Sequence, residues 1–181
     1  MGVHRQHVER PTHETEARGR ASAAHRDGRR TEESGDDVTE AQATTTTIEQ
    51  VVRIAATPKM VWAFWTEPER LAEWWGIEAV AVAEPGGMFR VVMEGGPVML
   101  GAFTELDPPR RLVFTFGWEQ NAPGEPLAPG STRVEVTLTP EGDDTILVLR
   151  HFEMPSTHAA DHESGWSYYL GDRLATLTAR P

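Results

Sequence analysis

Trp166-Ser-Tyr-Tyr-Leu-Gly-Asp-Arg-Leu-Ala-Thr-Leu177 is the last apolar run of this 181-residue chain. Within it Trp166, Leu170, Leu174 and Leu177, with Tyr169, recur at the spacing of one helical face. Pro155 opens the element, so the pattern predicts one long amphipathic helix running to the C-terminus. The residues ahead of it obey a different period. Six β-type runs, at 77–83, 87–94, 98–106, 111–118, 132–139 and 145–152, are separated by turn chemistry such as Glu84-Pro85-Gly86-Gly87 and Asp107-Pro108-Pro109. Most of these connections are short enough to predict antiparallel neighbours, although residues 120–131 form a longer Pro/Gly loop. Period-two alternation places Leu112, Phe114, Phe116 and Trp118 on one strand face, Val134, Val136 and Leu138 on a second, and Leu147, Leu149 and His151 on a third.

Further upstream, residues 44–55 alternate as a first strand. Thr57-Pro58 then reads as an N-cap with proline at the first helical position, opening a short helix at 59–66 with Val61, Trp62 and Trp65 on one side. Glu67-Pro68 breaks it, and a second short helix at 69–75 ends at Gly76. The expected fold is α+β. A curved antiparallel sheet of six to seven strands wraps around the long C-terminal helix, with two short helices after the first strand.

Composition divides the chain in two. Residues 1–43 hold no aromatic residue, seven arginines, nine acidic residues and four irregularly spaced histidines. Such a segment buries too little apolar surface to offset chain entropy, so it is expected to be a disordered tail. Residues 44–181, the expected domain, hold all 6 tryptophans, all 6 phenylalanines and both tyrosines. The net charge of −11 argues against nucleic acid and against an anionic membrane surface. The absence of cysteine excludes disulfides, thiolate metal sites and a cysteine nucleophile. No run approaches the roughly 20 apolar residues of a membrane span, and the N-terminus lacks the apolar stretch of a secretory signal, so a cytoplasmic location is expected.

Few polar residues fall where chemistry would need them. His151 should face inward, either as a structural imidazole bonded to its surroundings or as a ligand anchor or general base. Arg90 and Glu105 lie on apolar strands and read as an ion pair, as outer-face charges, or as partners for His151. His158 and His162 lie four apart and would share a helical face, but no Glu completes a zinc-hydrolase motif, so no metal and no cofactor is expected. Gly165 and Gly171 inside a helix imply close helix–sheet approach or deliberate room, with packing the expected reason for Gly165. The Gly pairs at 86–87 and 95–96 lie between strands and open no helix, so they make no phosphate cradle.

Residues 45–178 resemble the SRPBCC superfamily, the START-like or helix-grip fold of the birch-pollen allergen. Within it they are similar to the bacterial homologues of the activator of heat-shock protein 90 ATPase. The match rests on Ala56-Thr57-Pro58 with Val61-Trp62, Thr66-Glu67-Pro68-Glu69 with Leu71 and Trp74-Trp75, and Pro85-Gly86-Gly87 with Phe89-Arg90. It continues through Gly101, Glu105, Asp107-Pro108-Pro109, residues 111–116, then Thr145, Leu147, Leu149, His151, His162 and Gly165-Trp166. The resemblance implies space between sheet and helix. Trp75, Phe89, Phe114, Phe116, Trp118, His151, Trp166 and Tyr169 are the residues expected to meet a ligand there.

Three functions follow from the resemblance. The first is binding of a small hydrophobic or aromatic ligand, such as a lipid or polyketide, without catalysis. The second is a START-like cyclase, dehydratase or hydrolase using His151 with Glu105 or Arg90, which requires those side chains to converge on the cavity. The third is a chaperone-associated interaction module, placed below the other two because residues 1–43 are too short and polar to be a second domain. The expected assembly is a monomer or homodimer.

Overall fold

The structure is a computed structural model that describes residues 44–178. The expected tail at 1–43 lies outside the described residues. Seven strands form one antiparallel sheet: β1 (Thr45–Ile54), β2 (Glu78–Ala81), β3 (Met88–Val92), β4 (Val98–Asp107), β5 (Arg111–Phe116), β6 (Thr132–Glu141) and β7 (Asp144–Pro155). Their order is β1-β7-β6-β5-β4-β3-β2, so each strand from β2 to β7 pairs with its chain neighbour and β1 closes against β7. Between β1 and β2 lie the helices α1 (Pro58–Thr66) and α2 (Pro68–Trp74).

The α1 start is set by backbone as much as by side chain. Thr57 is extended and its carbonyl accepts from the N–H groups of Met60 and Val61 at 2.9 and 3.1 Å, while its hydroxyl makes no cap bond. Gly76 lies beyond α2 for a reason other than a left-handed cap. A Cβ there would sit 2.4 Å from the Val92 carbonyl oxygen, so the glycine lets the chain pass close over β3. The strand expected over 111–118 ends at Phe116, and Trp118 is held by an isolated bridge to Met99.

The C-terminal element departs most from its expected form. A 3-10 turn (Ser156–His158) leads into α3 (Ala159–Ser167), then a π-helical stretch (Tyr168–Leu174) and a last α turn, α4 (Ala175–Leu177). Leu177, expected on the buried stripe, is 47 % exposed, and Thr178 is buried in its place. The reason is geometric. In an α-helix a step of four residues overshoots one turn by about 40°, so a four-residue stripe drifts around the axis. A π turn, closed by i→i+5 bonds, takes more residues and drifts the other way. The mixed helix therefore keeps Trp166, Leu170, Leu174 and Thr178 on one line, all four buried.

The core is a continuous aromatic cluster. Trp65, Trp74, Trp75, Phe89, Phe103 and Phe114 are all buried between the two short helices and the sheet. Trp65 meets Trp74 edge-on at 4.8 Å, and Phe89 meets Phe103 and Phe114 at 4.5 and 4.7 Å. Such pairs add about 0.5–1.5 kcal/mol each beyond the area they bury. The opposite face of the sheet carries ion pairs, among them Arg111 with Glu105 and Glu135, and Arg90 with Glu119.

Gly101 on β4 marks the tightest passage in the sheet: a Cβ would lie 1.7 Å from the Thr115 carbonyl oxygen, which is backbone and has no way to move aside. Gly101→Ala is expected to destabilise the domain by more than about 2 kcal/mol, the scale of severe steric substitutions. Urea denaturation would measure it, and a loss under about 0.5 kcal/mol, the range of neutral surface changes, would contradict this close approach.

Candidate functional site

β5 leads into the site. Phe114 faces inward at its centre, but Trp75 at 6.1 Å and Trp65 at 6.0 Å cover it, as part of the filled core. Two residues on, Phe116 has no tryptophan of α1 over it. Its neighbours are Trp118 at 5.3 Å, His151 at 4.7 Å and His162 at 5.8 Å. There a cavity of about 190 Å³ opens between the sheet and α3. Its apolar walls are Trp75, Met93, Phe116, Trp118 and Trp166. Asp161, His162, Gly165 and Tyr169 complete the lining from the C-terminal helix. A wider groove shares Met93, Trp118 and Tyr169 with the cavity and forms its mouth, bordered by residues 94–97 with Gln120 and Asn121.

The expected ligand residues therefore divide. Trp75, Phe116, Trp118, Trp166 and Tyr169 meet at the cavity. Phe89 and Phe114 lie in the filled core instead, because the rings of α1 and α2 occupy the space above them. Trp75 is a fixed wall, packed on Trp74 at 5.5 Å and Trp166 at 5.0 Å.

His151 lies behind the cavity and is fully buried. Its Nδ1 accepts from the Trp166 indole N–H at 3.1 Å, which requires Nε2 to carry the proton. Nε2 then donates to the Thr132 hydroxyl at 2.8 Å, and that hydroxyl donates to the Phe116 carbonyl at 3.1 Å. Every polar atom in this relay of hydrogen bonds is satisfied, which is the structural alternative for His151. Arg90 pairs with Glu119 and Glu105 with Arg111 on the outer face of the sheet, so the two do not form the expected ion pair with each other and do not converge with His151 as the catalytic reading requires.

His162, Gly165 and Met93 were not among the expected ligand residues, nor was Asp161. One signal was present: 162, 165, 166 and 169 fall at i, i+3, i+4 and i+7 on one helical face. Gly165 does not serve close packing, since a Cβ there would meet no atom within 4 Å. Its missing side chain is part of the cavity. His158 and His162 do share a face, but His162 Nδ1 is engaged at 2.9 Å by the carbonyl of His158. Among the described residues no three His, Asp or Glu side chains converge to hold a metal ion.

The site is electrically quiet. Burial, and secondly the neighbouring His162, push the His151 imidazole down to about 3. Burial lowers His162 as well, and raises the Tyr169 phenol. Both imidazoles are thus neutral near pH 7, and Asp161 at the rim is the only formal charge in the cavity lining.

The fold and its end cavity define a helix-grip α+β domain. The chain belongs to the family described as Activator of Hsp90 ATPase homolog 1-like protein, whose model matches residues 55–179. Among solved structures, an AHSA1-like protein from Rhizobium etli is 36% identical, with a TM-score of 0.59, over 76% of this chain and 84% of that one. DynU16, a protein in the dynemicin biosynthetic locus, is 26% identical with a TM-score of 0.62 over 72% of this chain, which spans only 46% of DynU16. The Aha1 dimer from Colwellia psychrerythraea shares the fold at 19% identity and a TM-score of 0.62, over 74% of this chain and 96% of that one. No curated protein matches the chain. Among the described residues no helix is long and apolar enough to cross a membrane.

Burial of neutral His151 carries a pH signature. An unfolded histidine titrates near 6.5, and the folded one near 3. Between those values the unfolded chain binds a proton that the folded chain refuses. This contribution to stability is complete above about pH 6.5 and is lost as pH falls toward 3, by up to about 1.4 kcal/mol per pH unit. Urea midpoints measured from pH 7 to pH 4 should fall accordingly, with His162 adding to the slope. His151→Gln should be less stable at pH 7 but lose less on acidification; an equally steep loss in that variant would locate the acid sensitivity elsewhere.

Proposed function

We propose that this domain binds one small hydrophobic or aromatic molecule in the cavity between its sheet and C-terminal helix. The single observation that carries the reading is the pocket beneath α3, walled by three tryptophans, one phenylalanine and one methionine, beside a cluster of buried apolar side chains. A protein of this size commonly closes such space with a side chain, because interiors are packed to crystal-like density. Here Gly165 keeps it open where alanine would gain about 1 kcal/mol of helix propensity. The volume of about 190 Å³ selects a ligand of one or two rings, since engineered apolar cavities of about 150 Å³ hold benzene. Larger lipids or polyketides would extend into the groove beside Trp118 and Tyr169. The likeness to DynU16, a protein in the dynemicin biosynthetic locus, supports a small-molecule role. The contact free energy would come from apolar area removed from water, at about 25 cal/mol per Å².

A thermal-shift screen of aromatics, flavonoids, polyketides and lipids should find ligands that stabilise the full chain. A ligand at a hundredfold excess over its Kd adds about 2.7 kcal/mol. Gly165→Leu should fill the cavity and abolish the shift while the unliganded fold persists. Gly165→Ala should raise the unliganded melting temperature yet weaken binding. Ligands that stabilise wild type and Gly165→Leu equally would place binding outside this cavity, and a panel without any stabiliser would refute the reading.

A further inference from the structure

Among the described residues two buried polar side-chain atoms have no hydrogen-bond partner, the indole Nε1 of Trp65 and Nε2 of His162. Trp65 lies deep in the filled core, between Trp74, Trp75 and Phe114. His162 lines the cavity. Its protonation pattern follows from its neighbours. Nδ1 lies 2.9 Å from the His158 carbonyl oxygen, which only accepts, so Nδ1 carries the proton. Nε2 therefore presents a lone pair, set among the rings of Phe116 at 5.8 Å, Trp118 at 5.9 Å and His151 at 6.1 Å. His151 cannot serve it, because both of its nitrogens are already bonded. A buried acceptor left without a donor is costly and uncommon in native proteins.

The carboxylates at the cavity point the same way, while the Tyr169 phenol on its lining can donate or accept. Asp161 on the lining and Glu94 at the mouth are also acceptors, and both repel anions. Resting on the ligand-binding reading above, we propose that the cavity is specific for an uncharged aromatic molecule bearing a hydroxyl group, a phenol or fused hydroxyarene, whose O–H donates to Nε2 of His162. The aromatic body replaces the space between Phe116, Trp118 and Trp166. The hydroxyl completes the one buried acceptor that the protein leaves open at this site. Hydrocarbons of the same shape fill the space without satisfying Nε2, and carboxylates bring a charge and no donor.

Three probes of nearly equal shape separate these terms: 2-naphthol, 2-methylnaphthalene and 2-naphthoate. Equilibrium dialysis of the full chain at pH 7.5 should give 2-naphthol a Kd about three- to tenfold below that of 2-methylnaphthalene, the range of one net hydrogen bond, with 2-naphthoate weakest. In His162→Phe the ratio between the first two should fall to about one. In His162→Gln, whose Oε1 supplies an acceptor near the Nε2 position, the preference should return. Equal affinities for 2-naphthol and 2-methylnaphthalene in wild type would overturn the donor requirement and leave the cavity reading standing. So would a preference that survives His162→Phe, or tighter binding of 2-naphthoate than of 2-naphthol. Binding of none of the three would overturn both readings together.

Discussion

The indole N–H of Trp166 reaches across from the C-terminal helix to Nδ1 of His151 on β7, and this one buried bond fixes how the helix sits on the sheet. Apolar contact alone is non-directional, and a stripe of leucines on a sheet of valines and leucines tolerates small slides. A hydrogen bond between two side chains that are both buried does not, because losing it strands polar atoms in a low dielectric. The bond also passes inward. His151 holds Thr132, Thr132 holds the Phe116 carbonyl, and Phe116 forms the cavity floor. Helix position, histidine tautomer and the placement of the floor are therefore one constraint.

That constraint explains the division between filled core and open cavity. On one side of Trp166, α1 and the end of α2 deliver Trp65 and Trp75 over Phe89 and Phe114, with Trp74 packed against both tryptophans. On the other side the sheet ends in Phe116 and Trp118, and the helix offers Gly165 and His162 in place of large side chains. The outer face of the sheet is paired by contrast into ion pairs such as Arg90–Glu119 and Arg150–Glu49. These exposed pairs contribute little to stability, but they place the charges of the strands on the solvent side. The inner face is left almost wholly apolar, with His151, Thr132 and Thr145 as its buried polar residues on strands.

Much of this was legible in the sequence. Alternation assigned the inward face of β5, β6 and β7 correctly, and helical spacing identified the C-terminal element. What period-two alternation gives is a face, not a depth. Phe114, Phe116 and Trp118 share a face by sequence, yet the first is sealed by two tryptophans, the second is a floor and the third is a mouth. The difference is made by residues some 40 positions earlier in the chain, and no local pattern carries it. The same limit applies to His162. Its place on the Trp166 face could be read from spacing, but the missing partner of Nε2 depends on what lies opposite. Leu177 was misassigned for a different reason, since the 3.6-residue period assumes a uniform α-helix.

The π stretch at Tyr168–Leu174 shows why that uniformity was given up. In a regular α-helix Leu170 and Leu174 would stand about 40° and 80° around the axis from Trp166, at the edge of the face that meets the sheet. The wider turns cancel that rotation and seal the stripe down to Thr178, whose hydroxyl bonds back to the Leu174 carbonyl at 3.0 Å. Sealing the C-terminal half confines the open space to the half before it, where α3 passes over Phe116. A helix packed evenly along its whole length would give either a continuous tunnel or none. Correcting the phase after Trp166 lets the same helix close one half of the core and roof a cavity over the other.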